Sequence, residues 1–101
     1  MDIPKLSSTE RLILALLSGE EMFGLQLVEQ SQGALKRGTV YVTLGRMQDK
    51  GYVESWTEKR QPGAIGLPRR LYKPTGYGLR VLAAWEAAAR VLARPQKLRH
   101  A

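Results

Sequence analysis

The spacing of apolar residues in this sequence changes at Gly51 from the period of a helix to that of a strand. Before Gly51, apolar residues recur every three or four positions, as in residues 12–17, which is the spacing of one buried face of an α-helix. After it, residues 52–57 are rich in aromatic and β-branched side chains, which predicts a β-strand. A chain of 101 residues has room for a single core. The sequence is therefore expected to form one domain, in which helices are followed by a hairpin.

Helices are predicted in the first half of the chain, over about residues 9–18, 24–32 and 39–51. Ser7 and Glu10 stand at the start of the first helix with the spacing of a capping box, in which each side chain satisfies a free backbone N–H group. The third helix is expected to bury Val40, Leu44 and Met47, because these residues recur at positions i, i+4 and i+7. Its other face is small, polar and basic.

Strands are predicted over residues 52–57 and 69–74, joined by a loop over residues 58–68 that is rich in glycine and proline. Three helices followed by a two-stranded hairpin are the outline of a winged helix-turn-helix, in which the hairpin is the wing. The fold class is therefore expected to be α+β, mostly α: a winged helix-turn-helix with a two-stranded wing, plus one C-terminal helix over about residues 76–93.

The C-terminal helix is apolar over a wider arc than a small domain needs. A surface helix usually has an apolar arc of about 100°, whereas Arg80, Glu86 and Arg90 occupy only about a third of the circumference here. A second copy of the chain would cover the excess, which predicts a homodimer; the alternative is that the helix packs deep against its own core. The predicted dimer interface consists of Val81, Leu82, Trp85, Ala88, Ala89 and Leu92.

The positive charge of the chain is concentrated in its second half. Sixteen Lys and Arg residues against nine Asp and Glu give a net charge of +7. Residues 1–50 contain six basic and six acidic groups, so residues 51–101 carry the whole excess. A basic field of this size attracts polyanions; the alternative is a solvated basic surface without a partner.

Conventional catalysis and metal binding are not expected. The chain has no cysteine, and its one histidine, His100, stands next to the C-terminus. No catalytic residues, metal ligands or cofactors are therefore predicted. No apolar run approaches the ~20 residues that cross a membrane, and the first residues lack the pattern of a secretory signal. We expect a soluble, cytoplasmic protein without a membrane partner.

A helix-turn-helix reads DNA with its second helix, which enters the major groove and is here the third predicted helix of the chain. The small outer face of this helix allows close approach, and Arg46 is long enough to reach a guanine edge or a phosphate. Lys36 and Arg37 stand at the helix start, where the helix dipole favours an anion. The wing adds further cations. The predicted DNA-binding residues are Lys36, Arg37, Thr39, Tyr41, Val42, Thr43, Arg46, Lys59, Arg60, Arg69 and Arg70.

Some of these residues have a second interpretation. Tyr41 is expected either to contact a phosphate or to be partly buried, because it lies near the core side of its helix. Arg46 is expected either to contact DNA or to pair with Asp49 or Asp2. Thr39 can act as a capping residue alone.

Four blocks of sequence are typical of one family. Two are general: the opening helix over residues 8–17, and Met-Phe-Gly-Leu-Gln-Leu at residues 22–27. Two are specific. One is Gly-Thr-Val-Tyr-Val-Thr-Leu-Gly-Arg-Met at residues 38–47, followed by Lys-Gly-Tyr-Val at residues 50–53, and the other is Arg-Arg-Leu-Tyr-Lys-Pro-Thr-Gly-Tyr-Gly at residues 69–78. Over about residues 8–92 the chain resembles the PadR family of bacterial winged-helix transcriptional regulators. It departs from the family pattern at Val42, where proline is frequent, and at Pro74, where leucine is usual.

The resemblance implies that Thr39, Tyr41 and Arg46 occupy recognition-helix positions and that residues 58–68 form the wing. It also implies a dimer formed through the C-terminal helices. Many family members respond to small aromatic or amphipathic ligands, so the resemblance implies a small aromatic effector as a partner. Trp85 is a possible ligand contact; the alternative is that it only packs.

The combined expectation is a sequence-specific regulator, a repressor, that binds double-stranded DNA as a homodimer on a pseudo-palindromic operator. Residues 1–75 would be the DNA-binding domain, residues 76–94 the dimerisation helix and residues 95–101 a basic tail. Two alternatives stay open. One is a protein-interaction module that uses the same face, and the other is a ligand-sensing dimer without strong DNA affinity.

Overall fold

The structure, a computed structural model, describes residues 3–59, 62–63, 65–66 and 68–93. Along the chain the elements are α1 (Ser8–Leu17), β1 (Met22–Phe23), α2 (Gly24–Gln30), α3 (Arg37–Asp49), β2 (Val53–Thr57), β3 (Arg70–Pro74) and α4 (Gly76–Ala93). The predicted α+β, mostly helical winged helix-turn-helix is confirmed. The predicted basic tail, residues 95–101, lies outside the described residues.

The sheet contains a strand that the sequence analysis missed. It has three antiparallel strands in the order β1-β3-β2, so the two-stranded wing is extended by β1. Met22 pairs with Tyr72, and Phe23 pairs with Leu71. Two residues are too few to show the alternation by which a strand is recognised in a sequence. Because of β1, the strand β3 lies in the centre of the sheet rather than at its edge.

The capping box at the start of α1 is confirmed. The backbone N–H of Glu10 donates to Oγ of Ser7 over 3.1 Å, and the backbone N–H of Ser7 donates to Oε1 of Glu10 over 2.8 Å. Both N–H groups lack a partner within the helix, so this exchange satisfies two donors at once. It fixes the point at which the helix begins.

The core lies between α1, α3 and the inner face of the sheet. The predicted buried face of α3 is confirmed, since Val40, Leu44 and Met47 are fully buried. They pack with residues of the other helices and of the sheet, among them Ile13, Leu14, Leu17, Leu27, Val53 and Tyr72. This packing holds α3 against the rest of the domain by one face and leaves the opposite face exposed.

The first half of α4 belongs to this same core, so the alternative interpretation of the helix applies to Val81 and Leu82, and the rest of the predicted dimer interface stays a prediction. Val81 is 4% exposed and Leu82 is 5% exposed, because α4 lies against α1 and β3. They have almost no surface left for a second copy of the chain. The half-buried Trp85 also contacts its own chain, since its indole N–H donates to the carbonyl of Pro4 over 2.7 Å.

The start of α4 is attached to the sheet at one close contact. A Cβ atom at Gly78 would collide with the backbone carbonyl of Tyr52, so only glycine allows α4 to approach the sheet this closely. Thr75 supports the contact twice: its N–H donates to the carbonyl of Tyr52 over 3.0 Å, and its hydroxyl accepts from the N–H of Gly78 over 2.9 Å. The direction in which α4 leaves the sheet is thereby determined.

Candidate nucleic-acid interface

The outward face of α3 is exposed and carries several of the predicted DNA-binding residues. Val42 is 56% exposed, and Thr39 and Arg46 are exposed as well. Thr43 is half-buried at the edge of this face. These side chains point away from the core because Val40, Leu44 and Met47 occupy the other side of the helix. The structure therefore brings the predicted base-contacting residues together on one open face.

The start of α3 carries two exposed cations. Lys36 is the residue that precedes the helix and Arg37 is its first residue, and the first turn contains no acidic residue. Neither side chain has an ion-pair partner in the part of the chain that the structure describes. The positive end of the helix dipole lies at the same place. This end of α3 is therefore strongly attractive to an anion.

Arg46 is unpaired within the described residues, so the alternative partner Asp49 does not hold it. The other alternative partner, Asp2, lies outside them. Arg46 is exposed on the same side of α3 as Val42. Its guanidinium can therefore reach a ligand that lies against this face.

Tyr41 is partly buried, as one of its two interpretations expected, and its phosphate contact stays a prediction. Its ring lies against Gly24, the first residue of α2, so closely that a Cβ atom there would stand 2.5 Å from Cε1 of the ring. The side chain is nevertheless 46% exposed. The ring therefore packs between two helices while part of the phenol remains available to a ligand.

An open cleft of about 670 Å³ lies where α2, α3 and the end of the wing meet. Arg37 and Tyr41 line it from α3, and Arg70 lines it from β3. Phe23 and Leu25 form part of its apolar lining. This cleft was not predicted from the sequence, because Arg37 and Arg70 are 33 residues apart in the chain and only the pairing of β3 inside the sheet brings them together.

The adjacent residues Arg69 and Arg70 have different partners. Arg69 binds Glu58 through two hydrogen bonds of 3.1 and 3.3 Å, and its guanidinium lies 4.0 Å from the centre of the Phe23 ring. Its charge is therefore largely neutralised, and it closes the base of the wing. The sequence does not distinguish the two arginines, because the pairing with Glu58 depends on the hairpin register.

Arg70 is held by uncharged groups and keeps its charge. Its Nη1 donates to Oγ of Ser55 over 3.0 Å, and that hydroxyl donates to Oε1 of Gln48 over 2.8 Å. Burial raises the pKa of the neighbouring Tyr72 hydroxyl, although the charge of Arg70 lowers it in part. Tyr72 therefore stays neutral and does not offset the arginine. Ser55 and Gln48 are positioning residues that sequence analysis missed, since neither has a recognisable motif.

The loop of the wing joins the end of β2 to the start of β3. Its base is closed by a hydrogen bond of 2.7 Å from the N–H of Glu58 to the carbonyl of Arg69. Lys59 is exposed, and Arg60 lies outside the described residues. The described tip of the wing is apolar, with Ile65 almost fully exposed.

Trp85 stands beside a second, smaller cavity of about 370 Å³, which is also lined by Leu6, Glu10 and Lys50. Its indole N–H is already bound to the chain's own N-terminal segment. In this arrangement Trp85 acts as a packing residue, and a ligand contact at this position stays a prediction.

No group of three or more metal-ligating side chains occurs among the residues that the structure describes. Within the same residues, no helix has the length and apolar character needed to span a bilayer.

The sequence matches the transcriptional regulator PadR-like family over residues 13–84. The structure is similar to a PadR family transcription regulator from Clostridium difficile, with 27% identity, a TM-score of 0.71, and coverage of 81% of this chain and 86% of the other. A PadR family transcriptional regulator from Eggerthella lenta is 29% identical, with a TM-score of 0.69 and coverage of 81% and 71%. No curated protein sequence matches this chain.

The fold is also shared with Bacillus subtilis PadR, whose structure was solved in complex with operator DNA. The identity is 21% and the TM-score is 0.71, with coverage of 94% of this chain. This chain spans 52% of that protein, so the likeness concerns about half of its length.

Proposed function

This chain belongs to the transcriptional regulator PadR-like family, and we propose that it regulates transcription by binding duplex DNA through α3. One observation carries the proposal: Arg37, Arg46 and Arg70 surround the exposed face of α3, and none of them has an ion-pair partner among the described residues. Unpaired cations around a small helical surface fit a polyanion that is approached closely.

The proposed contacts fall into two groups. Arg46, Val42 and Thr39 face outwards from α3 and are assigned to base edges in the major groove, where arginine recognises guanine and methyl groups pack on thymine. Thr43 lies at the edge of this group. A second set of residues around these base-contacting residues is assigned to phosphates. Phosphate contacts give affinity and orientation rather than sequence preference. The residues of this second set are Lys36, Arg37, Tyr41, Lys59 and Arg70. Arg60 lies outside the described residues, and its phosphate contact is proposed from its place in the sequence alone.

Arg69 receives a different role from the one its sequence position predicts. Since Glu58 and Phe23 hold its guanidinium, we assign it to the structure of the wing rather than to DNA. Its removal would weaken DNA binding only by changing the direction of the wing.

We further propose that the regulator is a homodimer formed through the second half of α4. Leu92 is 84% exposed, although it lies on the same side of the helix as the buried Val81 and the half-buried Trp85. Ala88 and Ala89 lie near the same side and allow close helix approach. A second copy of the chain is the occupant that explains an apolar face continuing beyond its own core.

A symmetric dimer would present two copies of α3 to a pseudo-palindromic site, with half-sites separated by about one or more helical turns of ~10 bp. Occupation of such a site would exclude other proteins from it, so we propose repression as its effect. The chain is not proposed to be an enzyme. A small aromatic effector remains part of the proposal on family grounds only.

The test is a titration of fluorescent duplexes with the full chain at two salt concentrations. One duplex has random sequence, and the other is selected by the protein from a random pool. We expect tighter binding to the selected duplex and an affinity that falls steeply with salt, by about 10³-fold or more for several phosphate contacts. Absence of binding to both duplexes at low salt would contradict the proposal and would favour a protein-interaction module instead.

A further inference from the structure

Glycines within the helices of this chain differ in whether packing requires them. A Cβ atom at Gly24 would collide with the ring of Tyr41, and one at Gly78 would collide with the carbonyl of Tyr52. Gly45, in contrast, has no atom within 4 Å of the place where its Cβ would stand, apart from its two neighbours in the chain and the adjacent backbone of its own helix. It is also not among the residues with positive φ. Neither packing nor backbone conformation therefore calls for glycine at position 45.

Glycine at this position is unfavourable for folding. Gly45 lies inside the 13-residue helix α3, well away from both ends. In a helix interior, glycine is less favourable than every other residue except proline, and alanine is the most favourable. The isolated domain would therefore be more stable with alanine at position 45. A benefit of glycine at this position would come from a molecule that approaches the helix from outside, because glycine lets another molecule come close to the backbone.

The position of Gly45 indicates which molecule approaches it. Gly45 follows Val42 by three residues and precedes Arg46, and all three are exposed. The core residues Val40 and Met47 lie on the other side of the helix. The backbone that is exposed at Gly45 is thus part of the same face of α3 that we assign to base edges.

We propose that Gly45 is a specificity-determining residue, at which the backbone of α3 comes into direct contact with base edges in the major groove. This inference rests on the proposed DNA-binding function. A side chain at position 45 would hold the helix further out of the groove. The short side chain of Val42 and the guanidinium of Arg46 would then no longer reach the bases together.

The test is Gly45→Ala in the full chain, examined in two measurements with opposite expected signs. Thermal unfolding is expected to occur about 4 °C or more higher than in the wild type, because alanine favours the helix. Affinity for the duplex selected by the wild type is expected to fall about 10-fold or more. Affinity for random-sequence duplex is expected to fall less, since Arg37 and Arg70 still reach phosphates.

Gly76→Ala is the matched control. It adds the same methyl group at the start of α4, where the nearest atom, of Arg80, is 3.6 Å from the new Cβ. Affinity for the selected duplex should be unchanged in this variant.

Two results would overturn the inference. One is a stabilised Gly45→Ala variant that binds the selected duplex as tightly as the wild type. The other is a destabilised or unfolded variant, which would mean that the fold itself needs the glycine. Failure of the proposed DNA-binding function would be recognised separately, because the wild-type protein itself would then not bind DNA.

Discussion

Lys50, which follows the last turn of α3, donates a hydrogen bond of 2.6 Å from Nζ to Oε2 of Glu10 in the first turn of α1. The carboxylate is buried, whereas the lysine is partly exposed. Burial by itself would raise the pKa of Glu10, but the hydrogen bonds from Lys50 and from Ser7, together with the charge of Lys50, outweigh it and hold the pKa below its ordinary value. The end of the proposed recognition helix is thereby attached to the helix behind it.

Glu10→Gln is expected to destabilise the domain by about 1–2 kcal/mol at pH 7, because Lys50 loses its partner but stays accessible to water. Glutamine can retain the capping box, so the variant isolates the charge. Since the pKa of Glu10 is lower in the folded state, its stabilisation is present above the unfolded pKa and is lost as the pH falls through the folded pKa. Urea unfolding should therefore show a difference from wild type that shrinks below about pH 4.5.

Glu20→Gln is the control for this experiment, since Glu20 is exposed and forms no ion pair among the described residues. A constant difference between Glu10→Gln and wild type down to the lowest pH would show that the carboxylate charge is not the stabilising feature.

Arg46→Ala and Arg37→Ala should affect DNA binding in different ways. Loss of a base contact at Arg46 is expected to cost about 1–3 kcal/mol on the selected duplex and much less on random duplex. Loss of a phosphate contact at Arg37 is expected to weaken both duplexes alike and to lower the salt slope by about one. Fluorescence titration at several salt concentrations separates the two, and Lys5→Ala serves as a charge control, because Lys5 lies beside Glu10 and Trp85 and is not part of the outward face of α3. Equal losses on both duplexes with Arg46→Ala would reassign that residue to phosphate.

Ser55→Ala is expected to weaken DNA binding although Ser55 touches no proposed DNA contact other than Arg70. Without the hydroxyl, the guanidinium loses its orientation, and the affinity for both duplexes should fall about threefold to tenfold. A double-mutant cycle provides the check. In an Arg70→Ala background, Ser55→Ala should have almost no further effect; an undiminished effect would mean that Ser55 acts through something other than Arg70.

Leu92→Glu is expected to convert the dimer to a monomer without unfolding it, because Leu92 is exposed in a single copy of the chain. Sedimentation velocity and thermal unfolding are the measurements. Ala87→Glu, on the opposite side of α4, should leave the dimer intact. A dimer that survives Leu92→Glu would place the interface elsewhere.

Leu82→Ala is expected to lower the free energy of unfolding of the domain. Leu82 belongs to the dimer interface predicted from the sequence, but it is buried within its own chain. Removal of a buried leucine side chain typically costs about 2–5 kcal/mol, and Leu82 lies in the core of its own chain. Urea unfolding of the monomeric Leu92→Glu variant with and without Leu82→Ala isolates this effect from dimerisation. A change below about 0.5 kcal/mol would contradict the placement of Leu82 in the core.

Features that depend on local spacing were accurately predicted from the sequence. The capping box of Ser7 and Glu10 and the buried face of α3 follow from residues three or four positions apart, where a helix brings side chains together without help from the rest of the fold. The change of period at Gly51 likewise located the start of the wing.

Features that depend on contacts between distant segments were missed or misassigned. The partners of Arg69 and Arg70 are determined by strand register, and β1 exists only because β3 offers an unpaired edge. Val81 and Leu82 were assigned to a second copy of the chain because periodicity shows which face of a helix is apolar but not what covers it. The amphipathic pattern of α4 is the same whether a face packs on its own domain or on a partner.

The contact between Gly78 and Tyr52 has a consequence for the spacing of DNA sites. In the proposed dimer, α4 connects each α3 to the symmetry axis, and it leaves the sheet at an angle determined by a contact that leaves no room for a side chain. No flexible linker separates the sheet from this helix, since β3 ends at Pro74 and α4 begins at Gly76. The two α3 helices of the proposed dimer would therefore lie at one fixed distance from each other, and the spacing of the operator half-sites would have to match that distance. In the proposed dimer, the distance between half-sites would therefore be a requirement of binding in addition to their sequence.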